Sequence, residues 1–203
     1  GWMTGLLVAD LVIAIVLGLV FAIVMRSKSR LVRWPMGFFL EFVRDTPLLI
    51  QLFFIYYVLP AYGIMAPAFL TGALALGIQY SAYTSEVYRA GIESIARGQT
   101  EAAHALDLSA LRTFSVIIVP QAIPRIIPAL GNYLVSIMKD VPVLSVVSVL
   151  EMLNVAKIIG DRSFNYLIPL SMVGGLYLLL TLLAAAGVRR LDTRLPKQGL
   201  PLR

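Results

Sequence analysis

Long uncharged apolar runs dominate this chain, and neither a strand period of 2 nor a helical period of 3.6 organises most of its hydrophobic positions. Leu6 to Met25 carries one charge, Asp10, while Ile64 to Ser85 and Phe164 to Val188 carry none. Each run is long enough to cross a hydrocarbon core of roughly 30 Å as a helix, which takes about 20 residues. With no water at that depth, backbone amides must be satisfied within their own segment, so helix is the expected form. Two further runs are less regular. Thr46 to Pro60 is apolar and aromatic but short, and Met36 to Val43 extends it; Ile126 to Leu150 is interrupted by Lys139-Asp140. The pattern predicts an all-α membrane protein forming one transmembrane domain over 1–203. Its five spans lie at about 4–25, 38–60, 64–88, 124–150 and 164–188, with a long polar loop at 89–123.

The basic residues orient the spans. Segment 26–44 holds Arg26, Lys28, Arg30, Arg33 and Arg44. Segment 89–125 holds Arg89, Arg97, Arg112 and Arg125, and the tail holds Arg189, Arg190, Arg194, Lys197 and Arg203. A five-span arrangement puts these 14 of the 17 Lys and Arg on one side, leaving Lys139, Lys157 and Arg162 on the other. By the positive-inside rule the crowded side is cytoplasmic, with the N-terminus outside and the C-terminus inside. The net charge of +6 is then a topology signal and does not call for a nucleic-acid partner. Composition agrees: 59% hydrophobic and 14% charged, against about a quarter charged in soluble domains. A cleavable signal peptide is not expected, because the first span is too long and no small-residue cleavage site comes after it. The chain opens almost inside that span, which leaves room for a longer native N-terminus. With no cysteine there is no disulfide and no thiolate metal site.

Catalytic constellations are missing. The single histidine, His104, cannot form an HExxH pair, and neither a GxxxxGK[ST] phosphate loop nor a GxSxG elbow occurs. The chain is not expected to be an enzyme or to hold a cofactor or metal, so uphill movement of a solute would draw energy from a partner or an ion gradient. Gly18, Gly72, Gly77, Gly131, Gly174 and Gly175 lie within spans. They let helices approach closely, or they act as hinges.

The polar loop is the most informative stretch. Gly98 can stop a helix in the left-handed conformation, Thr100 can cap the next one, and Glu101 suits its first turn. Ala102, Ala103 and Leu106 would share a face beside Glu101 and His104. Asp107 breaks the run, and Ser109 can cap another short helix. The result is two or three short helices with a small-residue face, suited to another protein's groove, or simply a solvated amphipathic linker.

Here the residues meet a family. Glu101-Ala102-Ala103, three residues, Asp107, nine residues, Ile117, one residue and Val119-Pro120 resemble the EAA loop of ATP-binding-cassette (ABC) importer permeases, whose pattern is EAA, three residues, Gly, nine residues, I-x-L-P. Asp107 stands where the family has glycine, and Val119 where it has leucine; Asp tolerates the left-handed conformation better than most residues. Arg44-Asp45-Thr46-Pro47-Leu48-Leu49-Ile50-Gln51-Leu52-Phe53 is similar to the RGTPLLVQLF segment of the polar amino-acid permeases (the His/Glu/Gln/Arg type). Ala82 to Gly91 and Gly98-Gln99 resemble the stretch preceding their EAA loop. Lys139-Asp140-Val141-Pro142-Val143-Leu144-Ser145 is similar to their KDTSLLS, with Val141 and Pro142 departing. The resemblance runs from Arg26 to Arg190. It falls nearest the ectoine and hydroxyectoine permease subunits through Lys139-Asp140-x-Pro, Leu130 to Leu134 and Ala156 to Gly160.

The resemblance implies a multi-pass subunit of the bacterial inner membrane that moves a small zwitterionic solute, a polar amino acid or an ectoine-like compound. It implies ABC ATPase subunits on the cytoplasmic loop, which would carry the ATP and Mg. It also implies a second permease subunit, identical or homologous, and a solute-binding protein outside. Gly98, Glu101, Ala102, Ala103, His104, Leu106, Asp107 and Pro120 are the candidate ATPase-coupling residues.

Within the spans, Lys139 and Asp140 line the solute path near its outer mouth, or the helix ends there and Lys139 snorkels to the interface. Gln51, Gln79 and Asn132 either bond between helices or face a cavity. Tyr57, within the cluster Phe53, Phe54, Tyr56 and Tyr57, belongs to an interfacial belt or stacks on a cationic group. Glu151 gates or caps on the outer side. Glu86, Tyr88 and Arg89 anchor the third span and pair with each other. Two rivals compete with an importer subunit. A passive channel would bind nothing at its loop, and a secondary transporter would need buried ion-coupling acids, for which Asp10 and Asp140 are the nearest candidates.

Overall fold

The structure, a computed structural model, describes residues 2–195. Their regular structure is entirely helical. Helix α1 (Trp2–Met25) is followed by α2 (Arg30–Asp45) and α3 (Leu48–Phe53), which continues through a π-helical turn (Phe54–Val58) and a 3-10 turn (Leu59–Tyr62). Then come α4 (Ala68–Glu93), α5 (Arg97–Ala105) and α6 (Ala110–Arg112). A second π-helical turn (Thr113–Ile118) leads into α7 (Val119–Asp140), a 3-10 segment (Val141–Val147), α8 (Met152–Ser163) and α9 (Leu167–Arg194).

Prolines account for several of the breaks. Pro47 drives Thr46 into an extended conformation (φ −86°, ψ 125°), separating α2 from α3. Both π-helical turns end two residues before a proline, Pro60 and Pro120. A proline lacks the amide for the carbonyl four residues back and its ring crowds that carbonyl; a wider turn just ahead relieves the crowding. Past Asp140, Pro142 sits in the first positions of the 3-10 segment. Gly63, at φ +81°, ends the 3-10 turn Leu59–Tyr62.

Helix α4 is the centre of the bundle, and α1, α2, α3 and α7 all pack on it. Its buried face is mostly small or polar, with Thr71, Gly72, Ala73, Ala75, Gly77, Ser81, Ala82, Thr84 and Ser85 beside the larger Leu76 and Tyr80. Gly77 meets Ile13 of α1, and Gly18 of α1 meets Thr84, whose Oγ1 donates to the Ala14 carbonyl at 2.6 Å. Gly72 meets Leu144, and Gly131 meets Val188 of α9. Close approach is thus the role of these four. A Cβ at Gly174 or Gly175 would meet nothing within 4 Å among the described residues. Helix α9 buries none of its residues and leans on α7 and α8 from outside.

Among the described residues, three helical segments are long and apolar enough to cross a membrane: Thr4–Met25, Ala110–Val147 and Leu167–Arg194. Leu48–Tyr62 is apolar but shorter. Helix α4 is 26 residues long yet less apolar, because its surface faces protein on several sides and its hydroxyls and amides find partners there. Several expected boundaries move. The second run is broken at Thr46-Pro47, α4 begins at Ala68 because Ile64 to Pro67 is irregular, and α7 begins well before residue 124. Helix α8 lies where the hydrophobic pattern predicts only a connection.

Candidate functional site

Residues 89–123 are folded and clamped at both ends. Arg125, in the second turn of α7, donates through Nη1 to the carbonyl and Oγ of Ser94, at 2.5 and 2.6 Å, just after α4 ends. Gln121 Nε2 donates to Gln99 Oε1 at 3.2 Å. Ile95 is buried in a cluster with Ala22, Tyr88, Ile118, Ala122 and Ile126, which roots the loop in α1, α4 and α7. None of these clamps is legible in the sequence.

The helix caps differ from expectation. Gly98 does not stop a helix: it sits in the first turn of α5, whose N-cap is Ala96, so Thr100 is not the cap and Glu101 lies beyond the first turn. The buried Ile95 sets the start of α5 instead. The far end agrees closely with the residue chemistry. Asp107 has φ +55°, Leu108 N–H donates to Ala103 O and Asp107 N–H donates to His104 O, each at 3.0 Å. This is the double closure of a helix terminus with a left-handed residue just past the cap. Ser109 Oγ then accepts from the Arg112 amide at 3.4 Å, capping α6.

The face of α5 also turns out differently. Ala103 is 1% exposed, pressed inward where α5 meets the Thr113–Ile118 turn, while Leu106 is 75% exposed. The two do not share a face. Gly98, Glu101, Ala102, His104, Leu106 and Pro120 are all exposed, and Leu111 and Val116 add large apolar side chains to the same loop. Replacing Asp107 with glycine is expected to raise the thermal midpoint. It removes a side chain held in the left-handed region, a penalty of roughly 1 kcal/mol for ordinary residues and less for Asp. Asp107→Val should lower the midpoint, and a thermal shift assay on both variants checks the sign.

The polar candidates inside the bundle separate into distinct groups. Gln51 Nε2 donates to the carbonyls of Val43 (2.8 Å) and Thr46 (2.9 Å) and to Gln79 Oε1 (2.5 Å). Gln79 Nε2 donates in turn to Tyr83 OH at 3.4 Å, and Tyr83 OH to the Arg44 carbonyl at 3.4 Å. Gln51 and Gln79 therefore tie α3 to α4 and mend the break at Thr46-Pro47. Arg44 Nη1 reaches Glu86 Oε1 at 3.1 Å, and Arg89 pairs with Glu86 and Glu93, each at 2.6 Å. The hydrogen bonds that Arg89 donates to the Glu86 and then the Glu93 carboxylate hold its pKa above its ordinary value. Tyr88 does not join them: its hydroxyl donates to the Ile15 carbonyl at 3.2 Å.

Lys139 and Asp140 point apart. Asp140 Oδ2 accepts from Tyr80 OH at 2.6 Å, beside Tyr83 and Tyr133, which stack with centroids 5.8 Å apart. Lys139 borders a shallow groove with Pro142 and Tyr177. Asn132 is exposed, and Tyr57, also exposed, places its hydroxyl 3.5 Å from the Val146 carbonyl. Glu151 caps: its two carboxylate oxygens accept from Leu153 N–H (2.7 Å) and Asn154 N–H (2.5 Å), and Tyr177 OH donates to Oε2 at 2.8 Å. Glu151→Ala is expected to cost about 2 kcal/mol, since it removes an N-cap and orphans a tyrosine hydroxyl. The check is a lowered thermal midpoint that Glu151→Gln partly restores. Asp10 is fully buried, and neither carboxylate oxygen has a hydrogen-bond partner among the described residues.

A central helix packed on by others, a clamped polar loop and long apolar helices describe a membrane-embedded helical protein. The chain belongs to the family of binding-protein-dependent transport system inner membrane components, which matches residues 14–197. It is 68% identical over 191 residues to the "Probable amino-acid ABC transporter permease protein y4tG" of Sinorhizobium fredii, covering 94% of this chain and 83% of that one. It is 32% identical to the L-cystine transport system permease protein TcyB of Bacillus subtilis, covering 95% and 84%. Among solved structures, an amino acid ABC transporter crystallised with histidines superposes with a TM-score of 0.90 at 33% identity, over 94% of this chain and 89% of that one. The inward-facing MetNI methionine transporter shares the fold, with a TM-score of 0.74 at 16% identity, over 95% and 92%.

Proposed function

We propose that this chain is the permease subunit of an ABC importer that carries a small zwitterionic amino acid, or an ectoine-like solute, across the inner membrane. The carrying observation is the clamped loop: α5 presents Ala102, His104 and Leu106 outward on a base fixed by Arg125, Gln121 and Ile95. A segment that only linked two spans would need neither the clamp nor an exposed leucine. Rigid attachment lets a push on α5 reach α4 and α7 directly. The family relation supports the reading, as do relatives named for amino-acid and cystine transport.

In this arrangement the chain crosses five times with its N-terminus outside, α5 faces the cytoplasm, and a second permease copy and an outer solute-binding protein complete the assembly. ATP and Mg belong to the ATPase subunits. Lys139, with Asn132 and Tyr57, remains open to a solute path, whereas Gln51, Gln79, Asp140 and Glu151 act as ties between helices. The family relation weighs against the secondary-transporter reading, and Asp140, one of its two candidate acids, is bound to Tyr80. The test is co-expression of the tagged chain with its neighbouring genes, reconstitution with the ATPase and binding protein, and assay of ATP hydrolysis against glutamine, cystine, histidine and ectoine. Stimulation by a member of the panel supports the proposal. Purification without any ATPase overturns it.

A further inference from the structure

Two adjoining cavities lie at the end of the bundle that bears the basic residues. The larger, about 850 Å³, is an apolar groove between α1, α4 and α7, walled by Leu19, Ile23, Ile123, Ile127 and Leu130. The smaller, about 570 Å³, lies under α5 and has a mixed lining in which Arg26, Arg97, Thr100 and His104 stand among apolar side chains. Arg26, Ile92 and Phe114 line both, so the two adjoin at Arg26. Along α7 the groove runs from Val119 to Leu130, roughly 16 Å at 1.5 Å per residue, close to the half-thickness of a core about 30 Å deep.

The polar end is cationic. Arg26, Arg97 and His104 face the smaller cavity, and its one carboxylate, Glu93, is already paired with Arg89. Among the described residues Arg26 makes no ion pair; its guanidinium lies over the Phe114 ring at 5.5 Å. The wall also holds Thr113, 4% exposed, whose hydroxyl has no hydrogen-bond partner among the described residues. An apolar slot as deep as one leaflet, ending in unneutralised arginine and a spare hydroxyl, complements a molecule with a hydrocarbon chain and an anionic head.

We infer that an anionic phospholipid of the cytoplasmic leaflet seats here, one acyl chain in the α1/α4/α7 groove and its phosphate on Arg26 beneath α5. A lone phosphate would leave the slot unfilled. A neutral chain would leave Arg26 and Thr113 unanswered. Basic pockets between membrane helices on the cytoplasmic side are suited to such head groups. The inference rests on the proposed membrane placement and not on the transported solute, and lipid retention is read without transport, so the two can fail separately.

The experiment is native mass spectrometry of the detergent-purified complex, with and without added phosphatidylglycerol, phosphatidylethanolamine or inorganic phosphate. The wild type should retain phosphatidylglycerol in at least tenfold preference to phosphatidylethanolamine. Arg26→Gln should remove the preference, and Ile123→Trp, which fills the groove from a half-exposed position, should lower retention of both lipids about tenfold. Unchanged gel-filtration profiles for the variants show that the fold survives. Retention unaffected by both variants overturns the proposal. So does displacement by inorganic phosphate alone, which would make this a free-anion site. Efficient cross-linking of Ile123→Cys to itself in the membrane also overturns it, because the groove would then be covered by a second copy.

Discussion

Gly77→Leu is expected to leave almost no folded protein in the membrane. A Cβ at this position would lie 2.5 Å from Ile13 Cγ2 and 2.7 Å from Ile13 Cβ. Ile13 is β-branched and within a helix has essentially one χ1 rotamer, so it cannot swing aside, and α1 must move away from α4. These two helices form the most extensive pairing in the bundle. Their separation also stretches the bonds from Thr84 Oγ1 to Ala14 O (2.6 Å) and from Tyr88 OH to Ile15 O (3.2 Å). Overpacking costs about 1–3 kcal/mol, and each orphaned buried hydroxyl adds about 1–3 kcal/mol. Together these approach the whole stability of a typical domain, about 5–15 kcal/mol. Gly5→Leu is the control, since nothing lies within 4 Å of Gly5. Gel filtration of fluorescent fusions reads the result: a monodisperse peak for Gly5→Leu and aggregate for Gly77→Leu. Equal peaks would mean that α1 and α4 do not meet as described.

The same pair of helices shows what the amino-acid pattern can and cannot express. The run from Leu6 to Met25 is visible as a helix from hydrophobicity alone, and Gly77 is visible as a packing glycine, because both properties are local. That α4 rather than α1 is the sheathed helix is not local. The clue is inverted: α4 is the less apolar of the two, since its serines, threonines and Gln79 have protein partners in place of lipid. The loop behaves similarly. Asp107 and Ser109 are readable because a left-handed stop and an N-cap depend on residues within one turn. Gly98 and Thr100 mislead because α5 starts where Ile95 is buried in a cluster drawn from α1, α4 and α7, which residues within one turn do not reveal. Ala103 faces inward for the same reason: the face of a nine-residue helix is set by what it leans on, here the Thr113–Ile118 turn. Glu151 is the opposite case. Glutamate is not a favoured N-cap, so α8 has no start signal, and the Tyr177 hydroxyl that fixes the carboxylate comes from 26 residues away.

Leu106→Glu is expected to abolish solute-stimulated ATP hydrolysis while leaving the permease folded. Leu106 is 75% exposed and Leu111 79% exposed, two large apolar side chains held outward by a clamped loop on the side proposed to be cytoplasmic. Left in water they contribute nothing to stability; covered by a partner's groove they become central anchors of the kind whose loss costs about 2 kcal/mol or more. A carboxylate there must be desolvated without a partner, which adds to the loss. A deficit above about 2 kcal/mol corresponds to a fall of roughly 30-fold or more in association with the ATPase, and uptake should fall with it. The thermal midpoint of the isolated permease should not change, because the substituted side chain points into solvent. Ala103→Leu supplies the mirror image: at 1% exposure it should lower the midpoint first, and coupling only as a consequence. Co-purification of the ATPase, read beside the thermal midpoint for both variants, separates the two roles. If Leu106→Glu still brings down the ATPase and still transports, α5 is not the coupling helix. If a solute crosses at the wild-type rate with no ATPase bound, the passive-channel reading takes its place.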